Sequence, residues 1–130
     1  MRILQVIPEL NEGGVERGVV ELNREYVKLG IESYIISYGG KLVNQITQDG
    51  GNHITFDVCS KNIFTSFSRV SKLKKLLIEI KPDIIHVRSR VPAWLVHFAN
   101  KSLQIKVVST VHGFNSVGFY SSIMQKADAV

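Results

Sequence analysis

Short apolar runs alternate along this 130-residue chain with longer stretches that repeat apolar residues every three or four positions. The short runs are rich in β-branched residues and end at glycine, proline or polar residues, which is typical of buried strands. The longer stretches have the period of amphipathic helices. Two of them show clear apolar stripes, which are Val15, Val19, Leu22, Tyr26 and Leu29 in the first predicted helix and Phe67, Val70, Leu73, Leu77 and Ile80 in the third. The predicted strands are Arg2–Ile7, Ile31–Tyr38, His53–Val58, Asp83–Val87 and Ile105–Val111, and the predicted helices are Val15–Leu29, Lys41–Asp49, Ser66–Ile80, a segment from Pro92 to about Lys101, and Tyr120–Lys126.

This alternation predicts an α/β fold, a Rossmann-like doubly wound parallel β-sheet with helices on both faces. The length predicts a single domain, 1–130. In the common strand order 3-2-1-4-5, the first and fourth strands are neighbours at the switch point, where ligands bind beyond the carboxyl ends of the strands. Three polar stretches follow strand ends and are expected to meet there: Glu9–Arg17, Arg88–Arg90 and His112–Asn115.

The composition favours an anionic partner and a reducing environment. The net charge of +5 suits phosphates or acidic lipid, although an excess of this size also serves solubility. Cys59 is the only cysteine, so an internal disulfide is excluded and a cytoplasmic location is expected. No apolar run is long enough to span a membrane. The aromatic residues are too scattered for a stacking platform, so we expect no nucleic-acid partner.

The region of the third predicted helix, Ser66–Ile80, is basic. Its cations either rest on an anionic membrane surface or form an ordinary solvated helix face. Both interpretations stay open from the sequence. The cations are Lys61, Arg69, Lys72, Lys74, Lys75 and Lys81.

Gly13 and Gly14 lie between the first predicted strand and the first predicted helix. A glycine turn lets a ligand approach the backbone, and the first N–H groups of the helix then point at an anion. The loop is not a standard nucleotide motif, because Val15 stands where a dinucleotide fingerprint needs its middle glycine and Val19 where a Walker lysine belongs. The alternative is a bare strand-to-helix turn.

Arg88 and Arg90 flank Ser89 at the end of the fourth predicted strand. Two guanidinium groups at such a place can clamp a phosphate or a carboxylate. The alternative is that one or both pair with a surface acid such as Glu9 or Glu12.

His112 follows the fifth predicted strand and precedes Gly113, which lets a ligand come close to the backbone. We expect the imidazole to hydrogen-bond a ligand hydroxyl or to orient it. The four histidines have no metal-ligand spacing, so no metal is expected.

Taken together, these segments resemble a known family. Their order and spacing are similar to those of the N-terminal domain of family 4 retaining glycosyltransferases of the GT-B type, and Lys126–Val130 resembles the segment leading to that domain's last strand. The resemblance runs from end to end of the chain and rests on Met1–Val6, Gly13–Arg17, Lys81–His86 and Thr110–Gly113.

The resemblance implies transfer of a sugar from a nucleotide-sugar donor to a glycan or lipid-linked acceptor, with retention of configuration and without a metal. Such enzymes typically build lipopolysaccharide or other cell-surface glycans at the cytoplasmic face of the membrane. Gly13 and Gly14 would line the loop near the donor diphosphate, and His112 would orient groups near the reacting sugar. The acceptor side would include Glu16, Arg17, Arg88, Ser89, Arg90, Gly113, Phe114 and Asn115.

Two features depart from the family pattern. The C-terminal donor-binding domain is absent from this chain, so we expect the chain alone to be inactive. The pair Arg88 and Arg90 is not a general feature of the family, so its role is open. The alternative function is that of a non-catalytic Rossmann-like module, which binds a phosphorylated ligand or an anionic membrane surface.

Overall fold

Five parallel strands form one sheet, with the first strand of the chain at its centre. This computed structural model describes residues 1–10, 14–57, 63–88 and 90–109, and of residues 63–67, 90 and 91 the backbone only. The strands are β1 Arg2–Val6, β2 Glu32–Ser37, β3 Asn52–Thr55, β4 Ile84–Val87 and β5 Lys106–Ser109, and the helices are α1 Gly14–Lys28, α2 Val43–Gln48, α3 Ile63–Ile80 and α4 Arg90–Ala99. Their order in the sheet, β3-β2-β1-β4-β5, confirms the predicted doubly wound fold. The predicted helix Tyr120–Lys126 lies outside the described residues.

Helices cover both faces of this sheet. Leu4 and Val87 pack in one cluster with side chains of α3 and α4, whereas Ile7 and Ile35 pack in a second cluster with side chains of α1 and α2. Because successive residues of a strand point to opposite faces, α1 and α2 lie on one face and α3 and α4 on the other. β1 is therefore buried on both sides, which explains its nearly continuous apolar sequence.

The larger cluster confirms most of the apolar stripe predicted for α3. Leu73, Leu77 and Ile80 are all buried against the sheet and α4, and Val70 is half-buried. Burying each leucine or isoleucine side chain contributes about 1.5–3 kcal/mol. The helix begins at Ile63, three residues before the predicted start.

The buried stripe of α1 differs from the predicted one. Leu29 was expected on the apolar face, but it follows the last helical residue and is 73% exposed. Val19 is buried as predicted, and the other two buried residues of the helix are Val20 and Asn23, because α1 packs against α2 as well as the sheet. Asn23 is fully buried, and its Nδ2 donates a hydrogen bond of 3.2 Å to the carbonyl oxygen of Ile46 in α2.

His53 of β3 forms a hydrogen bond across the sheet with β2. Its Nε2 lies 2.6 Å from the hydroxyl oxygen of the buried Ser37, which also accepts a hydrogen bond from the Gly39 N–H at 3.1 Å. Partial burial lowers the pKa of the His53 imidazole from its ordinary value of 6.5. The folded protein therefore holds this ring in its neutral form.

We expect stability to fall with acidification through the titration of His53. A lowered pKa in the folded state means that its contribution is fully present above the unfolded value of 6.5 and is lost as the pH falls through the folded value. Urea unfolding at pH 7.5, 6.5 and 5.5 measures this loss, with His53→Gln as the control. The difference between wild type and variant should shrink toward low pH, and a constant difference would contradict the assignment.

Candidate functional site

The end of β1 and the start of α1 meet β4 at the carboxyl edge of the sheet. β1 has β2 on one side and β4 on the other, so the strand order reverses at this point. The chain continues beyond β1 along β2, where the Ile7 N–H donates to the Ile36 carbonyl oxygen at 3.1 Å. Beyond β4, the Arg88 N–H donates to the Val6 carbonyl oxygen at 3.2 Å. The predicted meeting of the first and fourth strand ends is confirmed, because β1 pairs with β4 up to Val6 and Val87 and Arg88 lies beside α1 at Gly18.

Gly14 is the first residue of α1, and it is exposed. A β-carbon placed on it would have no described atom within 4 Å, and its φ lies outside the left-handed region. Neither crowding by described atoms nor backbone strain therefore demands glycine at this position. The bare turn and the approach of a ligand to the helix N-terminus therefore both stay open for this glycine.

Glu16 and Arg17 occupy the first turns of α1. Glu16 is half-buried, and its negative charge complements the positive end of the helix dipole. Arg17 is exposed and forms no ion pair with any described residue. It lines an open groove between α1 and α2. Of the two side chains, only that of Arg17 is thus available to an anion.

Arg88 is buried under α1, and only 9% of it is exposed. Its Nε donates a hydrogen bond of 3.1 Å to Gln5 Oε1, and Gln5 Nε2 donates one of 3.4 Å to the Val19 carbonyl oxygen. The guanidinium approaches α1 at Gly18, where a β-carbon would lie 4.0 Å from Arg88 Nη1, at an ordinary contact distance. The described partner of Arg88 is thus a neutral amide, and the surface acid considered from the sequence is not that partner.

Burial has an electrostatic consequence for this arginine. Desolvation lowers the pKa of the Arg88 guanidinium, and nearby Tyr26 opposes the shift. A cation held in a low-dielectric place exerts a stronger field than an exposed one. Arg88 therefore supplies positive potential beneath the N-terminal half of α1, where an anion at Gly14 would feel it.

Gln5 is a site residue that the sequence reasoning missed. It is fully buried at the centre of β1, where it links Arg88 of β4 to the backbone of α1. The sequence does mark this residue, because Gln5 is the one polar residue between Ile3 and Ile7 in an otherwise apolar strand. A buried amide needs hydrogen-bond partners, which could have pointed to a polar group above the first strand.

Several predicted site residues cannot be placed. Arg90 is the first residue of α4, and only its backbone is described. Of the two arginines of the predicted clamp, only Arg88 therefore has a described side chain, and it contacts Gln5. Outside the described residues lie Gly13, Ser89, His112, Gly113, Phe114 and Asn115.

The basic region of α3 is less uniform than the sequence indicated. Lys72 and Lys75 are exposed on one side of the helix, and Lys74 is half-buried. Arg69 was counted with the surface cations, but it is 8% exposed and lies in the interior between helix and sheet. Among the described helices, none combines the length and apolar character needed to cross a membrane.

The chain matches a family profile along nearly its whole length. The profile of Glycosyltransferase Family 4 matches residues 12–129. No curated protein matches the chain. A solved glycosyltransferase from Rickettsia africae ESF-5 is 37% identical over 90% of this chain, with a TM-score of 0.79. The chain spans 31% of the length of that protein.

Two more distant structures share the fold. HepE from Anabaena, solved with UDP and glucose, is 15% identical with a TM-score of 0.66, over 85% of this chain and 30% of that one. The lipopolysaccharide outer core galactosyltransferase WaaB, in its apo form, is 16% identical with a TM-score of 0.69, over 98% of this chain and 38% of that one. Fold and profile agree with the family that the sequence motifs resemble. The chain belongs to glycosyltransferase family 4.

Proposed function

We propose that this chain is the acceptor-side, N-terminal domain of a retaining glycosyltransferase. The observation that carries the proposal is the exposed helix N-terminus at Gly14, which lies above the buried cation of Arg88 at the switch point of a family 4 sheet. Helix N–H groups and a desolvated guanidinium both favour a negatively charged ligand. The donor class is a nucleotide sugar, whose diphosphate provides that charge.

The reaction that we propose is a displacement on one face of the sugar. The acceptor hydroxyl oxygen bonds to the anomeric carbon on the face from which the diphosphate leaves, and the bond between that carbon and the diphosphate oxygen breaks. The hydroxyl proton passes to the departing diphosphate oxygen. Positive charge placed in advance stabilises the leaving group, and such preorganised electrostatics is usually the largest catalytic contribution. Gly14 and Arg88 supply part of it, and a second domain supplies the rest.

The acceptor is proposed to be a glycan or a lipid-linked saccharide used in cell-surface polysaccharide or lipopolysaccharide synthesis. WaaB, which shares this fold, is a lipopolysaccharide outer core galactosyltransferase, and HepE was solved with UDP and glucose. We therefore place UDP-sugars first among the donors to test.

The test is transfer by the full-length protein with a panel of nucleotide sugars and saccharide or lipid-linked acceptors. One donor should give product with its anomeric configuration retained, and EDTA should leave the rate unchanged. His112→Ala should lower the rate, and the chain 1–130 alone should give no product. Failure of every donor to bind or react would overturn the proposal in favour of a non-catalytic module.

Replacement of Arg88 by methionine separates a ligand-binding role from a structural one. The variant removes a desolvated charge but leaves the buried Oε1 of Gln5 without its 3.1 Å hydrogen bond. The orphaned amide oxygen should lower the free energy of unfolding by about 1–3 kcal/mol, which is less than the stability of a typical domain. Sugar transfer should nevertheless fall at least about tenfold, with partial recovery in Arg88→Lys. Urea unfolding and initial rates measure the two effects, and a large stability loss with normal transfer would show a structural role.

The exposed side of α3 favours a second activity, attachment to an anionic membrane surface. Lys72 and Lys75 lie on the same side as Ile78, which is 47% exposed. Cations beside an exposed apolar residue are typical of peripheral attachment, and each lysine near such a surface contributes about 1 kcal/mol. Localisation at the inner face of the cell membrane is part of this proposal.

Vesicle flotation tests the attachment. With vesicles that contain about one third anionic lipid, Lys72→Glu/Lys75→Glu should reduce the floated fraction at least about tenfold. Lys28→Glu/Lys106→Glu makes the same charge change at other exposed positions and should have a much smaller effect. Equal flotation of wild type and the α3 variant would end this proposal.

A further inference from the structure

A groove of about 510 Å³ separates α1 from α2 on the sheet face opposite α3. Its α1 wall is formed by Arg17, Glu21 and Arg24, which are spaced four and three residues apart and so share one stripe of the helix. All three side chains are exposed. The buried Val20 forms an apolar part of the floor. This wall therefore offers two guanidinium groups with a carboxylate between them.

The opposite wall is rich in amides. Lys41 stands just before α2, and the side chains of Asn44, Gln45 and Gln48 follow along the helix. Each amide both donates and accepts hydrogen bonds, whereas guanidinium groups only donate and carboxylates only accept. Sugar hydroxyls also donate and accept, so the two walls together match the hydrogen-bonding capacity of a saccharide.

One end of the groove is held in place by Asp49. Its carboxylate lies 3.3 Å from Arg24 Nε and accepts a hydrogen bond of 3.0 Å from Gln45 Nε2. The Asp49 side chain is only 16% exposed. One carboxylate therefore joins the two walls and fixes the position of a guanidinium and an amide before any ligand arrives, which lowers the ordering cost of binding.

The other end opens toward the carboxyl edge of the sheet. Arg17 is near the start of α1, and Lys41 follows the end of β2, so both lie near the site at Gly14. Both cations are exposed and form no ion pair with a described residue. Glu21, further along the groove, would repel an extended polyanion. The charges thus suit one acidic group at the open end and neutral hydroxyls beyond it.

We propose that this groove binds an anionic saccharide, with its carboxylate or phosphate between Arg17 and Lys41 and its hydroxyls along Glu21, Gln45 and Gln48. The identification of this saccharide as part of the transferase's acceptor rests on the proposed function. The groove then sets acceptor specificity outside the transfer site itself, because it selects a saccharide that carries an acidic group.

The test is an NMR titration of the ¹⁵N-labelled protein with maltotrionate, which carries one terminal carboxylate, with maltotriose as the neutral analogue and pyrophosphate as the bare anion. Maltotrionate should shift amide resonances of α1 and α2 and bind at least about fivefold more tightly than either control probe. Arg17→Gln/Lys41→Gln should weaken its binding about five- to tenfold, because two exposed charge contacts are lost. Lys72→Gln/Lys75→Gln removes the same charge from α3 and should change the affinity less than twofold.

Three results would overturn the inference. They are equal weakening by the α3 control, shifts confined to residues outside α1 and α2, and pyrophosphate binding as tight as that of maltotrionate. Both variants should melt like wild type, because the replaced side chains are exposed.

The full-length transferase separates this inference from the proposed function. If transfer occurs and Arg17→Gln/Lys41→Gln raises the acceptor KM with little change in kcat, the proposed function and the acceptor role of the groove are both supported. If transfer occurs with an unchanged acceptor KM, the acceptor role of the groove is wrong and the proposed function stands. If no donor is used but maltotrionate still binds between α1 and α2, the proposed function fails and the groove remains a saccharide site.

Discussion

Replacing Gly51 by alanine is expected to destabilise the domain by about 2–4 kcal/mol. A β-carbon on Gly51 would overlap the side-chain amide of Asn23, which is fully buried between α1 and α2. To make room, Asn23 would have to give up its 3.2 Å hydrogen bond to the Ile46 carbonyl oxygen or force the two helices apart. Glycine is thus required at this position by the packing around it. Urea unfolding of wild type and variant measures the loss.

The double variant Asn23→Ala/Gly51→Ala identifies the cause. If the overlap is responsible, truncating Asn23 makes room for the new methyl group, so the double variant should lose less stability than the sum of the single variants. The loss in the double variant should be smaller than that sum by at least about 1 kcal/mol, as is usual for residues in contact. Additive losses would mean that Gly51→Ala acts through something other than Asn23.

Replacing Gly14 by valine is expected to lower kcat/KM of the full-length enzyme at least about 100-fold while leaving the fold intact. No described atom lies within 4 Å of a β-carbon placed on Gly14, so the free energy of unfolding should change by less than about 0.5 kcal/mol. A valine side chain would, however, stand where a diphosphate approaches the helix N-terminus. Displacing a reacting group by about 1 Å costs on the order of 100-fold in rate.

Gly18→Ala is the matched control for this variant. It lies one turn further along α1, and its new methyl group would lie 4.0 Å from Arg88 Nη1, inside the protein. We expect transfer within about threefold of wild type and a slightly more stable helix, since alanine is a better helix former than glycine by about 1 kcal/mol. Wild-type rates for Gly14→Val would remove Gly14 from the donor site.

Much of the fold was predictable because it depends on local periodicity. Each described strand and helix was recognised, most bounds within a few residues, from runs of β-branched residues and from apolar repeats. The strand order followed from the right-handed crossover rule and the common order for such sheets. Family membership also followed from motifs at the strand ends, and the profile over residues 12–129 agrees.

Periodicity did not predict which side chains are buried by neighbouring helices and strands. The periodicity of α1 favoured Leu29 and Tyr26 on the buried face, yet Leu29 is exposed and Asn23 is buried, because α2 supplies a second surface for the helix. Arg69 was counted among the exposed cations of the α3 region, yet it is buried, because helical periodicity says where a side chain points and not what covers it.

The candidate site shows the same division between sequence and tertiary structure. The sequence by itself determined the sheet, the edge at which the candidate site lies, and the glycine at the start of α1, since these depend on the order of elements along the chain. Only the tertiary structure decided that Arg88 is buried on Gln5, and that Arg17 and Lys41 face one groove. These relations join residues far apart in the sequence, and packing between elements sets which side chains meet.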